Sequence, residues 1–198
     1  MATSSIDRIE QVFGNIDREI WIVTAATASR RGGLVATWVS QASIDREHPV
    51  VLAGIAPNHF TAELIDASGA FGLHLITKDQ VHHAWNFGIG SGRDRDKLAG
   101  IETSVSETTS PILRDCLAWL DCRVFATQRT GDRIYYWADI VAGETVSAGS
   151  PLTESQLIRL ATDEHKQMLR SGRDADIATQ RPKQQAWRSN LPSSLRPK

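Results

Sequence analysis

Short β-forming runs follow one another along this chain with little room for crossover helices, and that spacing most limits the folds open to it. Residues 20–26, Ile-Trp-Ile-Val-Thr-Ala-Ala, read as a strand closed by the turn cluster Ser29-Arg30-Arg31-Gly32-Gly33. Residues 34–43 read as a second strand and 49–56 as a third. A parallel connection takes a dozen or more residues, so these two are predicted to pair antiparallel. Residues 71–76 form a fourth run, and 117–126 with 133–141 the last two, with Thr130-Gly131-Asp132 between them as a hairpin turn. Six strands with few long helices between them predict a mainly β protein: an antiparallel barrel with helices outside.

The helical signals lie between and around these runs. Ile9, Val12, Phe13 and Ile16 share a helical face in a lead-in over residues 1–18. Asn58 is a good N-cap, Phe60 and Leu64 share a face, and Gly69 is a natural stop. Asp79 is placed to cap a helix through Val81, Ala84 and Trp85. Residues 88–100 are rich in glycine and charge, with one helical turn near Asp96-Lys97-Leu98, and residues 102–111 read as a polar loop ending at Pro111. After Pro151, Thr153-Glu154-Ser155-Gln156 is a capping box, with Leu152 and Leu157 as its staple. The stripe Leu157, Leu160, Ala161, Met168, Leu169 continues that helix to Gly172. The rest, holding Pro182, Pro192 and Pro197, reads as an extended arm. The division expected is a barrel domain over 1–150 and a C-terminal helix and arm over 151–198, packing on the barrel or a partner subunit.

Composition narrows the function classes. The 198 residues are 41% hydrophobic and 23% charged, an ordinary globular balance. The net charge of −1 speaks against a whole-molecule nucleic-acid binder. Residues 165–198 hold eight Lys/Arg against two Asp/Glu, a local +6 on a body of −7. Such an end suits a phosphate-bearing ligand or nucleic acid, and equally a solvated or partner-covering tail. There is no apolar run of membrane length, and the polar N-terminus lacks a basic region followed by an apolar one, which points to the cytoplasm. Cys116 and Cys122 are too few for a disulfide framework or a zinc site and read as buried small hydrophobes.

Familiar cofactor and catalytic motifs are missing. No Gly-x-Gly-x-x-Gly follows a strand, and Gly88-Ile89-Gly90-Ser91-Gly92 fits neither a P-loop nor a hydrolase elbow. His82 and His83 are neighbours on a predicted helix, point apart and make a poor chelating pair, so no metal site is expected.

Three segments remain. Over residues 34–43, alternation puts Val35, Thr37, Val39, Gln41 and Ser43 on one face, apolar packing with regular polar groups. That suits the edge of a planar heteroaromatic ring, and it is also what a half-exposed barrel strand shows. Ala56-Pro57-Asn58-His59-Phe60-Thr61 is a strand end running into a helix start, where unpaired N–H groups and the helix dipole favour an anion. An ordinary capped helix has the same pattern. Gly131-Asp132-Arg133-Ile134-Tyr135-Tyr136 is either a plain hairpin turn or a turn presenting Arg133 to a ligand.

Together these segments resemble the flavin reductase-like, FMN-binding split-barrel family. The resemblance covers about residues 16–145 and rests on the order and spacing of residues 35–43, 56–65, 71–75, 91–101, 117–124 and Gly131-Asp132-Arg133. The Ala-Pro-Asn-His-Phe-Thr form also resembles flavin reductase modules fused to flavodiiron proteins. The family implies a six-stranded Greek-key split barrel with peripheral helices, a homodimer, and FMN near the subunit interface. It implies that Ala36, Thr37, Trp38 and Ser40 line the ring and ribityl chain. Gln41 falls where a small hydroxyl residue is common. Asn58, His59 and Thr61 match the phosphate-side helix start, and Lys97 a basic position in the Gly-rich segment. Many members carry His after Gly-Asp, where this chain has Arg133. The implied activity is NAD(P)H-dependent flavin reduction, with any electron-accepting protein a separate partner. Alternatives are an FMN-binding electron carrier inert to NAD(P)H, a split barrel holding haem or pyridoxine phosphate, and, more distantly, a nucleic-acid binder using the basic tail.

Overall fold

The structure, a computed structural model, describes residues 4–197. Of the N-terminal lead-in and the C-terminal segment, residues 1–3 and Lys198 lie outside the described residues. The strands are β1 (Trp21–Ala26), β2 (Arg31–Ala36), β3 (Val39–Gln41), β4 (Val50–Ile55), β5 (Ala70–Leu75), the two-residue β6 (Thr103–Ser104) and β7 (Ile112–Leu113), β8 (Ala118–Arg129) and β9 (Ile134–Thr145). The helices are α1 (Ser5–Gly14), α2 (Phe60–Ser68), α3 (Val81–Gly88), α4 (Glu154–Leu160) and α5 (Asp163–Ser189).

Seven strands form one antiparallel sheet in the order β2-β1-β5-β8-β9-β4-β3. Its two edges, β2 and β3, are consecutive in the chain and joined only by Thr37 and Trp38. From Ala36 to Val39 the chain takes three Cα steps and reaches at most ~11 Å, so the sheet must curl until its edges nearly meet. The barrel is closed by chain and not by ladder, which makes it a split barrel. The seventh strand arises because the run 34–43 breaks in two.

That break overturns the alternation read from the sequence. Leu34 and Ala36 lie in the barrel core, whereas Val35 packs in the outer cluster. After the break Val39, paired with Ala53, packs on the barrel core. The inward parity has switched from even to odd, as a one-residue slip demands, and Trp38 at the step is exposed. The strand also begins earlier than expected, since Gly32 and Gly33 belong to β2 and not to a turn. A Cβ at Gly33 would stand 2.7 Å from the Val23 carbonyl and 2.8 Å from the Phe87 ring, so only glycine lets α3 lie this close to the sheet.

Two apolar layers result. Inside, Val23, Phe71, Leu73, Ile134 and Tyr136 pack with Phe60, Leu64 and Ile65 of α2. Outside, Ile20, Ile22 and Ile76 pack with Ala84 and Phe87 of α3 and with Leu98, Leu113, Leu152 and Leu157. Each fully buried side chain of this size contributes roughly 1.5–3 kcal/mol. Both cysteines are buried and free, and burial pushes the Cys116 thiol up to about 11 and Cys122 higher still, which keeps them inert thiols.

Helix ends follow sequence only in part. Gly69 ends α2 in the left-handed region at φ 68°, and the Thr153–Gln156 capping box starts α4. The N-cap of α2 is His59, not Asn58, and its side chain makes no cap hydrogen bond. Before α3 comes a 3₁₀ turn, Lys78–Gln80, boxed by Thr77 and Gln80 rather than capped by Asp79. The "polar loop" 102–111 contains β6, which pairs with β7. The helix after Pro151 breaks at Ala161, restarts at Thr162, and runs on to Ser189 through Gly172 and Pro182. The C-terminal segment is therefore helical where an extended arm was expected, and α5 docks on the barrel through the contacts described next. Among the described residues no helix is long and apolar enough to cross a membrane.

Candidate functional site

The β2–β3 step, the start of α2 and the β8–β9 turn meet on one side of the barrel. Two adjoining cavities open there, one of about 790 Å³ and one of about 120 Å³, sharing Leu34, Val35, His59 and Arg133 in their walls. The larger is within the ordinary range for small-molecule sites. Ala36, Thr37 and Trp38 line the smaller cavity; Asn58, Thr61 and Lys97 line the larger. Ser40 and Gln41 line neither. The Ser40 hydroxyl donates to the Gln41 carbonyl at 3.1 Å, and the Gln41 amide to the Ser43 carbonyl at 2.7 Å.

Arg133 follows the hairpin turn. Its guanidinium lies 4.4 Å from the Trp38 ring centroid and donates to the Asp132 carbonyl at 2.7 Å and to Gln180 Oε1 at 2.6 Å. A cation over an indole face is a stabilising arrangement. It fixes a positive charge in the wall of the smaller cavity.

At the α2 start, Asn58 Nδ2 donates to Asp176 Oδ1 at 2.8 Å, and His59 Nε2 lies 3.1 Å from Asp176 Oδ2. Gln180 Nε2 donates to Asn58 Oδ1 at 3.2 Å. The α2 start is a place where backbone N–H groups and the helix dipole favour an anion. Here a carboxylate from α5 takes the two side-chain donors. Arg93 flanks the same helix start: it donates to the Asn58 carbonyl at 3.0 Å, pairs with Glu63, and with Arg30 lies against the Phe60 ring.

Lys97 is buried at 3% exposure, not displayed on the Gly-rich segment, and its Nζ donates to the Phe87 carbonyl at 2.7 Å. Burial, then the Arg95 charge, lowers its pKa to about 8, so the amine is still a cation at neutral pH.

Asp176, Gln180, Arg93 and Arg30 were missed by sequence reasoning. Asp176 and Gln180 stand four apart, one face of a helix, but that signal is readable only once the tail is known to be helical. His82 and His83 also depart from expectation. Their rings lie 4.1 Å apart and both Nε2 atoms face Asp115 Oδ2, at 3.6 and 3.1 Å. The shared carboxylate draws adjacent side chains together that the helix alone would splay. Burial, and then the neighbouring His82, lowers the His83 pKa.

An antiparallel barrel closed by chain, with an anion-favouring helix start beside a cavity of small-molecule size, defines a ligand-binding split barrel. Comparison with known proteins gives its family. The flavin reductase like domain matches residues 13–157, and the chain belongs to that family. Diflavin flavoprotein A 1 from Synechocystis sp. is 27% identical over 145 residues, 71% of this chain and 24% of that protein. The chain thus spans about a quarter of that relative's length. The crystal structure of a nitrilotriacetate monooxygenase component B homolog from Mycobacterium thermoresistibile superposes with a TM-score of 0.65 at 26% identity, covering 76% of this chain and 84% of that one. The NADH:FAD oxidoreductase of Streptomyces globisporus shares the fold at a TM-score of 0.67 and 17% identity, over 77% of this chain and 91% of its own.

Proposed function

We propose that this chain binds FMN across the two adjoining cavities and works as an NAD(P)H-dependent flavin reductase. The observation that carries the reading is the convergence of Trp38, His59, Thr61 and Arg133, from three separate elements, on one pair of cavities. The names of the relatives, a diflavin flavoprotein and an NADH:FAD oxidoreductase, support it.

The residues present suit the group. Asn58, His59 and the α2 start offer donors to a phosphate, while Ala36, Thr37 and Trp38 offer backbone and an aromatic wall to a ring system. Bound FMN would supply the acceptor for a nicotinamide hydride at N5. Arg133 places a fixed cation at the ring-side cavity, where it favours negative charge developing on a reduced ring. Lys97 adds a second cation behind the Gly-rich wall. The N-terminal helix α1 exposes Ile6, Ile9, Val12 and Phe13, a surface suited to the second copy of a homodimer. The cytoplasm, and a separate electron-accepting protein, complete the proposal.

A second reading has its own support. Arg133 stands where the family often has His, on the nicotinamide side, and the relative above is about four times longer than the matched region. An FMN-binding electron-transfer module served by another protein would fit both. The test is an absorption spectrum of purified protein with FMN, followed by NADH and NADPH. Bound flavin with accelerated nicotinamide oxidation is the expected result. Bound flavin inert to both nucleotides selects the carrier, and no flavin binding removes both readings.

A further inference from the structure

We infer that Asp176 is a built-in competitor for the phosphate seat and so sets how strongly the site prefers a phosphorylated flavin. The inference rests on the FMN reading above and adds a residue outside the matched domain, since α5 lies beyond residue 157.

Three observations carry it. First, the Asp176 carboxylate engages both side-chain donors at the α2 start, Asn58 at 2.8 Å and His59 at 3.1 Å. A carboxylate and a phosphate monoester ask for the same partners, and two anions cannot share them. Second, Gln180, one turn on, joins Asn58 and Arg133, so the same helix face also ties the cation beside Trp38. Gln180 is the one buried residue among the 27 of α5. The helix is thus held by polar contacts a ligand can replace more than by apolar burial. Third, α5 is fastened at both ends of the site. Near its start His165 stacks on Trp85 at 4.1 Å, and beyond the site the Lys183 backbone lies against Gly131. Asp176 is consequently presented at the seat in high effective concentration, and freeing the seat needs only local displacement of the helix.

The apparent affinity for a phosphate-bearing ligand falls by the fraction of time the seat is free. A strap seated about nine-tenths of the time weakens FMN about tenfold and leaves riboflavin, which has no phosphate, nearly untouched.

The experiment measures FMN and riboflavin dissociation constants for the full chain, Asp176→Ala and the exposed control Asp174→Ala. Asp176→Ala should tighten FMN by about tenfold and change riboflavin less than about twofold, with the control like wild type. An unchanged or reduced FMN-to-riboflavin preference in Asp176→Ala overturns the inference. In parallel, inorganic phosphate is titrated while the His59 ring resonance is followed by NMR. The resonance should move at lower phosphate concentration in Asp176→Ala. If no variant binds flavin but phosphate still shows that difference, the competitor stands and the FMN reading falls. If FMN binds every variant alike and phosphate does not distinguish them, the competitor falls and the FMN reading stands; if no variant binds flavin and phosphate does not distinguish them, both fall.

Discussion

His74 bears on stability without lining the site. It is fully buried on β5, and its Nε2 accepts the Leu113 N–H at 3.1 Å. The proton therefore sits on Nδ1, which donates to the Ile22 carbonyl at 3.1 Å. Burial lowers its pKa from 6.5 to about 4, outweighing the Ile22 carbonyl. The unfolded chain takes up this proton near pH 6.5, whereas the folded chain resists until about pH 4. This contribution is complete above pH 6.5 and is lost as pH falls through that window, by about 3 kcal/mol. Urea titrations at pH 7 and 4.5 should show the slope, and His74→Gln should flatten it while lowering stability at pH 7. In the site, Thr61 is buried yet lines the larger cavity. Thr61→Ala should weaken FMN by roughly 1–3 kcal/mol if its hydroxyl donates to the ligand, measured by fluorescence titration. Unaltered FMN binding would remove Thr61 from the site.

Among the elements, the β8–β9 hairpin and α5 depend on each other. Gly131 in the hairpin turn has φ 86°, and a Cβ there would collide with the Lys183 carbonyl. Gly131→Ala meets both penalties, backbone strain and a clash with a helix backbone that cannot rotate away. It should cost at least about 1–2 kcal/mol and raise amide exchange along α5, read by hydrogen-exchange mass spectrometry. Exchange in α5 like that of wild type would mean that the helix does not rest on this turn. The hairpin was legible because Thr130-Gly131-Asp132 interrupts two β-rich runs and needs no distant partner to be recognised. The course of α5 was not. Gly172 and Pro182 are stop signals in an isolated helix, but here the helix is held before Gly172 by His165 on Trp85, between the two by Asp176 and Gln180 at the site, and just past Pro182 by the Lys183 backbone against Gly131. The break at Thr37 and Trp38 was equally hidden. A single strand and two strands joined by a sharp step have the same β propensity, and only the closing of the barrel demands the step.

For the molecule as a whole, the exposed apolar face of α1 and the placement of the site at the barrel's split edge bear on assembly. Ile6, Val12 and Phe13 are 72%, 63% and 55% exposed. A contiguous apolar helix face of this kind is unusual on a monomer. Sedimentation equilibrium should return a dimer mass, and Val12→Lys with Phe13→Lys should shift the chain toward monomer. A monomeric wild type would leave α1 without that role. The sequence by itself determined the mainly β class, the antiparallel order of neighbours, the hairpin, the capping box and the segment that starts α2. These rest on local rules, period, turn chemistry and connection length, which act within a dozen residues. The tertiary structure alone decided where the strand breaks, which parity faces inward, and that a charged tail lies as a helix across Asn58, His59 and Arg133. Those outcomes depend on closure of the sheet and on contacts between residues as far apart as Asn58 and Gln180, and no local pattern encodes the distance between them.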